Sequence, residues 1–580
     1  MQVLHKAGNV NVTKEVGDDA AFLLGNKNTG YAYFSTGKKS RYNGVFFNLA
    51  GRMMRVIAEL GIEKQPEKIV NRLYSAELHP SGNREAFFMP HGSDSLAYML
   101  ESEDWITLSL DVRGIYEASD GTSYELLKND TSVTIKCKRG AEDFFIVILA
   151  DKPEYEPLGQ YVPTTYESDK ERNSPPFEGT IYRALKIKSK KLVLSFADDP
   201  EDASRKAEQV YNNLPKLYEE AQNRVRKMIR NGVFASEDVW MAYNCCINSL
   251  DQLTASDRVI AGFPWFFQPW TRDELISISN LSAQVTKEIL MRDIQHIKDD
   301  GRIPNILSEN AQSNADSVGW LFTRVDDSMK VFTVNERNII REKIVESIMR
   351  LNVAYVRDLL VCNGPKETWM DSQYSDNGRA GARIEIQALT LRTYQTAYRL
   401  TKNEKFSRLA QLTAKKVKKE FWNGRYLSDG AGDPTIRPNV FIAAYVYPSL
   451  LKTDEWETCF DFVLPNLWCE WGGISSIDKK DPLFCSHSTG EDARSYHRGD
   501  SWYFLNNMAA LVLHRTNAEK YRIHIAAILK ASTEDILWKG MVGHHSEISS
   551  AATQQAEGCG AQAWSAAMYI ELVNELYPVR

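Results

Sequence analysis

The chain has no long apolar segment. Its longest purely apolar runs are short, such as Phe144 to Ala150, where a membrane-spanning helix needs about twenty apolar residues in succession. The opening stretch, MQVLHKAGNVNVTKEVGDD, carries no apolar core of signal-peptide length. Cysteine is scarce, eight in 580 residues, and no two form a CxxC or CxxH pair, so the usual zinc spacing is missing. Scattered cysteines without a leader read as reduced thiols, and the expected location is the cytoplasm. There is no excess of positive charge: 70 Lys and Arg against 76 Asp and Glu leave a net charge of −6. That excludes the basic footprint of a nucleic-acid or anionic-membrane binder. GxxxxGK[ST], GxGxxG after a strand, HExxH and GxSxG are all absent, which removes phosphate cradling, zinc-peptidase and serine-hydrolase chemistry. No EF-hand loop occurs either, and neither a metal nor another cofactor is expected.

What is present fits a large globular protein with a neutral ligand. Hydrophobic residues make up 43% and charged residues 25%, close to the average for soluble chains. The length implies about two to four domains. Aromatics reach 11%, with 13 Trp and 26 Tyr, which suits sugar stacking and equally suits a large core.

The chain changes texture near residue 200. Before it, DWITLSLDV (104–112), TSVTIKCK (131–138), DFFIVILAD (143–151) and KLVLSFAD (191–198) read as short strands separated by turns. Many strands without intervening helical periods predict an antiparallel β-sandwich over 1–200. Gly51 to Leu60 reads as a helix interrupting them, and the polar, proline-bounded stretch 163–176 as a surface loop. A charge-rich helical linker is expected over 201–234. Beyond it, amphipathic helices are expected at about 236–255, 273–298, 335–361, 383–402, 403–422, 439–452, 500–515, 517–538 and 560–577. Thr271 with Glu274, and Thr516 with Glu519, have capping-box spacing. So many helices in 235–580, joined by loops as long as 363–382 and 470–499, predict a mainly α, multi-domain protein whose second part is a toroid of helical hairpins. Long ordered loops concentrate function.

Those loops carry carboxylates, aromatics and arginines together. Gly262 to Asp273 holds Trp265, Phe266, Phe267 and Trp270 beside Arg272 and Asp273, flat apolar faces next to groups that fork onto vicinal hydroxyls. Its plainer reading is a hydrophobic loop packed under a helix start. Glu367-Thr-Trp-Met-Asp371 places a carboxyl beside tryptophan, the environment that raises a pKa by desolvation and suits a general acid; a surface Asp after a buried Trp-Met pair is the alternative. Further clusters are His544-His545-Ser546-Glu547, followed by Gln562 and Trp564, and Ser495 to Trp502 with His497. A carboxylate pair in an aromatic-walled pocket is the arrangement of glycoside hydrolysis.

The order of these pieces resembles the amylo-α-1,6-glucosidase region of glycogen debranching enzymes. Gly30-Tyr31-Ala32 and Ser40-Arg41-Tyr42-Asn43-Gly44 look like the GGYA…R-Y-H-G stretch of that family's β-domain. Trp270-Thr-Arg-Asp273 looks like WGRD, Ile303-Pro304-Asn305 like IPN, and Asp316 to Phe322 like DAPLWF in outline. Trp369-Met370-Asp371 matches WMD, Ile384 to Leu389 stands for [VI]EINAL, and Arg437-Pro438-Asn439 matches RPN. Tyr496 to Trp502 stands for YHQGTVW, and Gly558 to Ser565 for GC-x-AQAWS. The chain departs from these patterns at Asn43, Gln387, Asp500-Ser501 and the segment before Trp270.

The resemblance implies a glucoamylase-like (α/α)6 toroid and an inverting glycosidase that removes α-1,6-linked glucose from glycogen-like or malto-oligosaccharide stubs. It makes Asp371 the general acid and Glu547 the general base. Trp270, Arg272, Asp273, Asp316, Trp320 and Trp369 would bind or shape the glucose pocket, with Glu385 and His497 as further pocket residues. The partner is an α-glucan or oligosaccharide. Alternatives are a glucoamylase- or trehalase-like hydrolase of another α-linkage, or a glucan-binding protein that does not cut.

Overall fold

The computed structural model describes residues 1–128, 132–151, 153–255, 257–307 and 314–578. Thr131, the first residue of the strand expected over 131–138, lies outside the described residues.

Fifteen strands between Gln2 and Ala197 are joined by hydrogen bonds into one continuous sheet. Two 20-residue strands, Ser95–Gly114 and Glu178–Ala197, run through it as an antiparallel pair. Their register breaks between Met99 and Asp104, and such an irregularity bends a strand. On one side of the break they pair with Glu85–Phe88 and Glu142–Ala150, on the other with Arg52–Ile62 and Glu154–Thr165. The sheet thereby folds over on itself around a shared core, in which Phe22 meets Phe87 (5.2 Å) and Phe47 stacks on Phe196 (6.3 Å). The expected antiparallel pattern has one exception, since Gln2–Ala7 pairs in parallel with Pro66–Asn71.

Two local expectations are corrected. Gly51 to Leu60 is not helical: Arg52–Ile62 is a strand paired on both edges, and Met53 to Ala58 are all buried. A short continuous apolar run fits a central strand and a buried helix equally, and only the neighbouring strands decide. The stretch 163–176 is not a free surface loop. Strand Glu154–Thr165 runs into it, and helix α1 (Glu167–Glu171) follows. Asp169 of α1 is buried, accepting from Ser40 Oγ (3.0 Å) and the Arg41 amide (2.6 Å).

Helix α2 (Pro200–Met228) is one continuous helix, capped by Asp199 and opened by Pro200. The remaining helices are α3 (Glu237–Leu253), α4 (Thr271–Ser277), α5 (Ala283–Gln295), α6 (Ser317–Asp327), α7 (Val334–Ala354), α8 (Ile384–Thr401), α9 (Glu404–Phe421), α10 (Asn439–Val446), α11 (Thr453–Leu467), the one-turn α12 (Ala493–Tyr496), α13 (Tyr503–Asn517), α14 (Arg522–Glu534) and α15 (Ala563–Leu576). Segment 273–298 breaks into α4 and α5 where Ser282 caps a new helix, and 335–361 ends at Ala354 in a two-stranded hairpin. Neither proposed capping box forms. Thr271 bonds the Pro304 carbonyl (2.8 Å), and Thr516 lies within α13; a genuine box joins Thr333 and Glu336.

Six helices touch in a closed cycle: α4 meets α6, then α8, α10, α13, α15 and α4 again, while α5, α7, α9, α11 and α14 pack outside it. The cycle members are largely buried, even the polar α4 (TRDELIS), and α10 reads NVFIAAYV, apolar nearly all round as a helix buried on every side tends to be. Gly319 permits close approach, because a Cβ there would lie 2.5 Å from that of Leu389. The motifs found in the sequence fall at the N-terminal ends of these inner helices. Trp270 precedes α4, Asp316 precedes α6, Arg383 precedes α8, Pro438 precedes α10, Trp502 precedes α13 and Gln562 precedes α15. Alternation of inner and outer helices points the inner ones the same way, so these ends gather on one face. Among the described residues, no helix is long and apolar enough to cross a membrane, and no group of three ligating side chains could hold a metal ion.

Candidate active site

Arg272, in the first turn of α4, organises the floor of the site. Its Nε donates to Asp316 Oδ2 (2.7 Å) and its Nη1 to Asp371 Oδ2 (3.3 Å). Arg272 Nη2 and Asp316 Oδ1 are buried without a partner, as are Trp270 Nε1 and His497 Nε2. Burying an unpaired polar group costs about 1–3 kcal/mol, so these atoms are a stock of donors and acceptors that a hydroxylated ligand satisfies.

Three carboxyls share the field of this floor. Asp371 ends the buried Thr368-Trp369-Met370 run and is itself 38% exposed. Desolvation raises its pKa above the usual carboxyl value; Arg272 pulls the other way and the charge of Asp316 adds to the rise. Glu547 is only 2% exposed. Its Oε1 accepts from the Tyr496 hydroxyl and its Oε2 from the Cys559 amide (2.8 Å). Burial pushes its pKa up to about 7, against both hydrogen bonds, and the Asp371 charge contributes to the rise. Asp273 is likewise pushed up to about 7 by burial, opposed by Arg272 and reinforced by Glu547 and Asp371. Gln562 donates to its Oδ1 (3.1 Å). Residues 273, 371 and 547, far apart in the chain, thus act on one another's titration.

The other expected residues divide into two groups. Trp369 is buried and donates from Nε1 to Asn439 (2.7 Å), with its ring edge-on to His497 (5.5 Å) and Trp502 (5.3 Å). His497 stacks flat on Trp502 (5.0 Å), and its Nδ1 meets Ser372 Oγ at 2.7 Å. Burial, aided by the Arg498 and Arg437 charges, holds His497 well below its usual pKa, so it is neutral at pH 7. Glu385 is 1% exposed with both oxygens bound by Arg379 (2.7 and 3.1 Å), which also binds Asp429. It braces the wall rather than facing the cleft. Trp320 packs in the core against Tyr445 (6.2 Å), one turn inward from Asp316. His544 and His545 are committed elsewhere, to Ser249 and the Leu23 carbonyl, and to Asp535 and Asn507.

Sequence reasoning left several functional neighbours unassigned. Tyr496 lay inside a recognised stretch, yet its bond to Glu547 depends on a through-space meeting. Arg172 of the β-rich region had no signal at all. Its guanidinium lies 3.9 Å over the Trp265 ring and pairs with Glu491 (3.2 Å), while Tyr42 packs on the same tryptophan (5.4 Å). The β-rich region therefore walls the aromatic loop. A groove of about 550 Å³ runs between the two parts behind Glu547, lined by Tyr33, Arg172, Trp265, Ser546, Glu557 and Gly558. Gly558 has φ +67°, and a Cβ there would stand 2.4 Å from Glu547 Oε2. Only glycine fits between groove and carboxylate.

Comparison with known proteins gives a fold and a family. The fold is similar to that of a bacterial glucoamylase solved in complex with acarbose, at 13% identity and a TM-score of 0.63, over 98% of this chain and 96% of that one. A mannosylglycerate hydrolase from Thermus thermophilus aligns at 13% identity with a TM-score of 0.43, over 57% of this chain and 99% of that one. No curated protein matches the sequence. The family described as amylo-alpha-1,6-glucosidase matches residues 241–571, the segment that contains α4, α6, α8, α10 and α13, most of α15, and Asp273, Asp371 and Glu547. The chain belongs to the amylo-alpha-1,6-glucosidase family of glycoside hydrolases.

Proposed function

We propose that the protein removes α-1,6-linked glucose from glycogen-like or malto-oligosaccharide stubs by inversion. On this reading residues 1–200 are a β-domain, 201–234 a linker and 235–580 an (α/α)6 toroid, whose six inner helices are the closed contact cycle. The observation that carries the reading is that Asp371 and Glu547, each raised above its ordinary pKa, lie near enough for the Asp371 charge to lift Glu547, with unpartnered Arg272 and Asp316 atoms beside Asp371. Eight unpaired cysteines suit a reducing compartment such as the cytoplasm.

Asp371 is the general acid. Its raised pKa favours the protonated form, and it is the most exposed of the three carboxyls. It gives its proton to the glycosidic oxygen as the C1–O bond breaks. Glu547 is the general base. Two donors, Tyr496 and the Cys559 amide, favour its carboxylate as an acceptor, and it takes a proton from the water that attacks the opposite face of C1. Inversion requires the carboxyls roughly 6.5–9.5 Å apart, leaving room for that water. Arg272, Asp273 and Asp316 bind hydroxyls of the departing glucose; Trp270 lines its pocket, with Trp369 and His497 behind.

Proton NMR of purified protein with isomaltosyl, maltosyl and trehalose substrates tests the proposal. β-Glucose appearing first from the α-1,6 substrate is the expected result. α-Glucose first refutes inversion, release only from another substrate refutes the linkage, and no release from any refutes hydrolysis.

A further inference from the structure

Three consecutive residues, Tyr496, His497 and Arg498, reach Glu547 and the segment that follows Asp371. Tyr496 donates to Glu547. His497 Nδ1 meets Ser372 Oγ at 2.7 Å. Arg498 Nε and Nη2 fork onto Asp376 Oδ2 (2.9 and 2.6 Å), Nη2 also donates to the Ser372 carbonyl (3.1 Å), and Nη1 donates to Ser372 Oγ (3.3 Å) and the Ala493 carbonyl (2.9 Å). Ser372 directly follows Asp371, so the guanidinium grips the chain one residue beyond the acid. The Arg498 side chain is 2% exposed.

The tripeptide is itself held at each carbonyl. Trp502 Nε1 donates to that of Tyr496 (2.8 Å), Arg437 Nη1 to that of His497 (2.7 Å), and the Cys485 amide to that of Arg498 (2.7 Å). The segment it grips has no regular structure between Asp371 and Arg383, and Gln373 to Ser375 are exposed. Trp369, Met370 and Arg272 hold Asp371 from one side; left to itself, the exposed segment after it would let the carboxyl shift. A fork of fixed geometry removes that freedom, which a point-charge ammonium could not do. Arg498 stands where the family stretch YHQGTVW carries glutamine.

We infer that Arg498 is a positioning residue for the general acid: with His497 it ties the Asp371 loop to the tripeptide whose Tyr496 holds Glu547, so a rigid span sets the separation of the two carboxyls. The inference rests on the roles proposed above for Asp371 and Glu547.

The test compares Arg498→Met and Asp376→Asn with the parent enzyme on an α-1,6-linked glucoside and on α-glucosyl fluoride. Fluoride needs no proton to leave: the C1–F bond breaks with its electron pair, water bonds to C1, and Glu547 takes the proton. A displaced acid is bypassed there, whereas a damaged fold or base is not. For Arg498→Met, kcat on the glucoside is expected to fall about a hundredfold with KM little changed, the scale of a misplaced group. On the fluoride it should fall by less than about fivefold. Asp376→Asn shows the same split, about tenfold on the glucoside, and carries the test if Arg498→Met does not fold. The double variant should be no worse than Arg498→Met alone, because the pair acts as a unit. Equal losses on both substrates, or none on either, overturn the inference. A parent enzyme that cleaves the fluoride but not the glucoside refutes the proposed linkage instead. Crystal structures of the variants then decide: Asp371 displaced with the Tyr496–Glu547 bond intact upholds the inference, and Asp371 unmoved overturns it.

Discussion

Replacing Tyr496 with phenylalanine removes one hydroxyl and one hydrogen bond from Glu547. That bond favours the carboxylate, working against the burial that lifts Glu547 to about 7. A hydrogen bond to a charged group is worth about 1.5–3 kcal/mol, and about 1.4 kcal/mol moves a titration by one pH unit. Full loss would lift the pKa by about one to two units; water entering the space returns part of this, leaving about one. The base must be ionised to act, so activity is lost as pH falls through the Glu547 pKa. On α-glucosyl fluoride, whose departure needs no acid, kcat/KM of the parent should therefore fall on the acid side with a midpoint near pH 7, because that profile reports the base of the free enzyme. In Tyr496→Phe the midpoint on the fluoride should move about one pH unit higher. An acid limb that does not move, or moves to lower pH, refutes the assignment of Glu547 as a base held ionised by Tyr496.

Asp371→Asn and Glu547→Gln should each lower turnover at least about a hundredfold, the scale of general acid–base catalysis, with unchanged far-UV circular dichroism; near-parental turnover in either would remove that residue from the mechanism. Gly558→Ala should abolish most activity and lower Tm, since the methyl meets both a left-handed backbone and Glu547 Oε2 at 2.4 Å, and normal kinetics would contradict the wall drawn here. Glu547→Gln should also stabilise the fold in alkali. A carboxyl raised from 4.5 to about 7 contributes stability present below its unfolded pKa and lost as pH rises through the folded value. The variant escapes that loss, so its Tm should exceed the parent's at pH 8, by the equivalent of up to about 3 kcal/mol, with the gap narrowing toward pH 5. Thermal melts at the two pH values check it, and a gap constant with pH would be the contrary result.

Much of the site was legible because its residues sit at places with local signatures. Trp270 to Asp273, Asp316, Asn439 and Gln562 mark the N-terminal ends of inner helices, where apolar periodicity begins and a motif can be read in sequence order. Asp371 stood out as a carboxyl beside tryptophan in a long loop, and Glu547 through the family resemblance. Glu385 and Asp273 looked alike on the same grounds. What separates them is their company, since Arg379 takes both oxygens of Glu385 while Asp273 stays within the field of Asp371 and Glu547. Arg172 and Asp169 gave no signal in a polar stretch, because their partners Trp265 and Ser40 lie about a hundred residues away in either direction.

The sequence by itself determined the change from strands to helices near residue 200, the absence of any apolar span, and the family to which the chain belongs. These follow from periodicity, composition and short motifs, all carried by residues close together in the chain. Only the tertiary structure decided that Arg52–Ile62 is a strand, that the β-rich region reaches the aromatic loop, and which carboxyls are braced and which are poised. Burial and charge act through space, and a closed cycle of helices brings residue 371 to residue 547 by contacts no local pattern encodes.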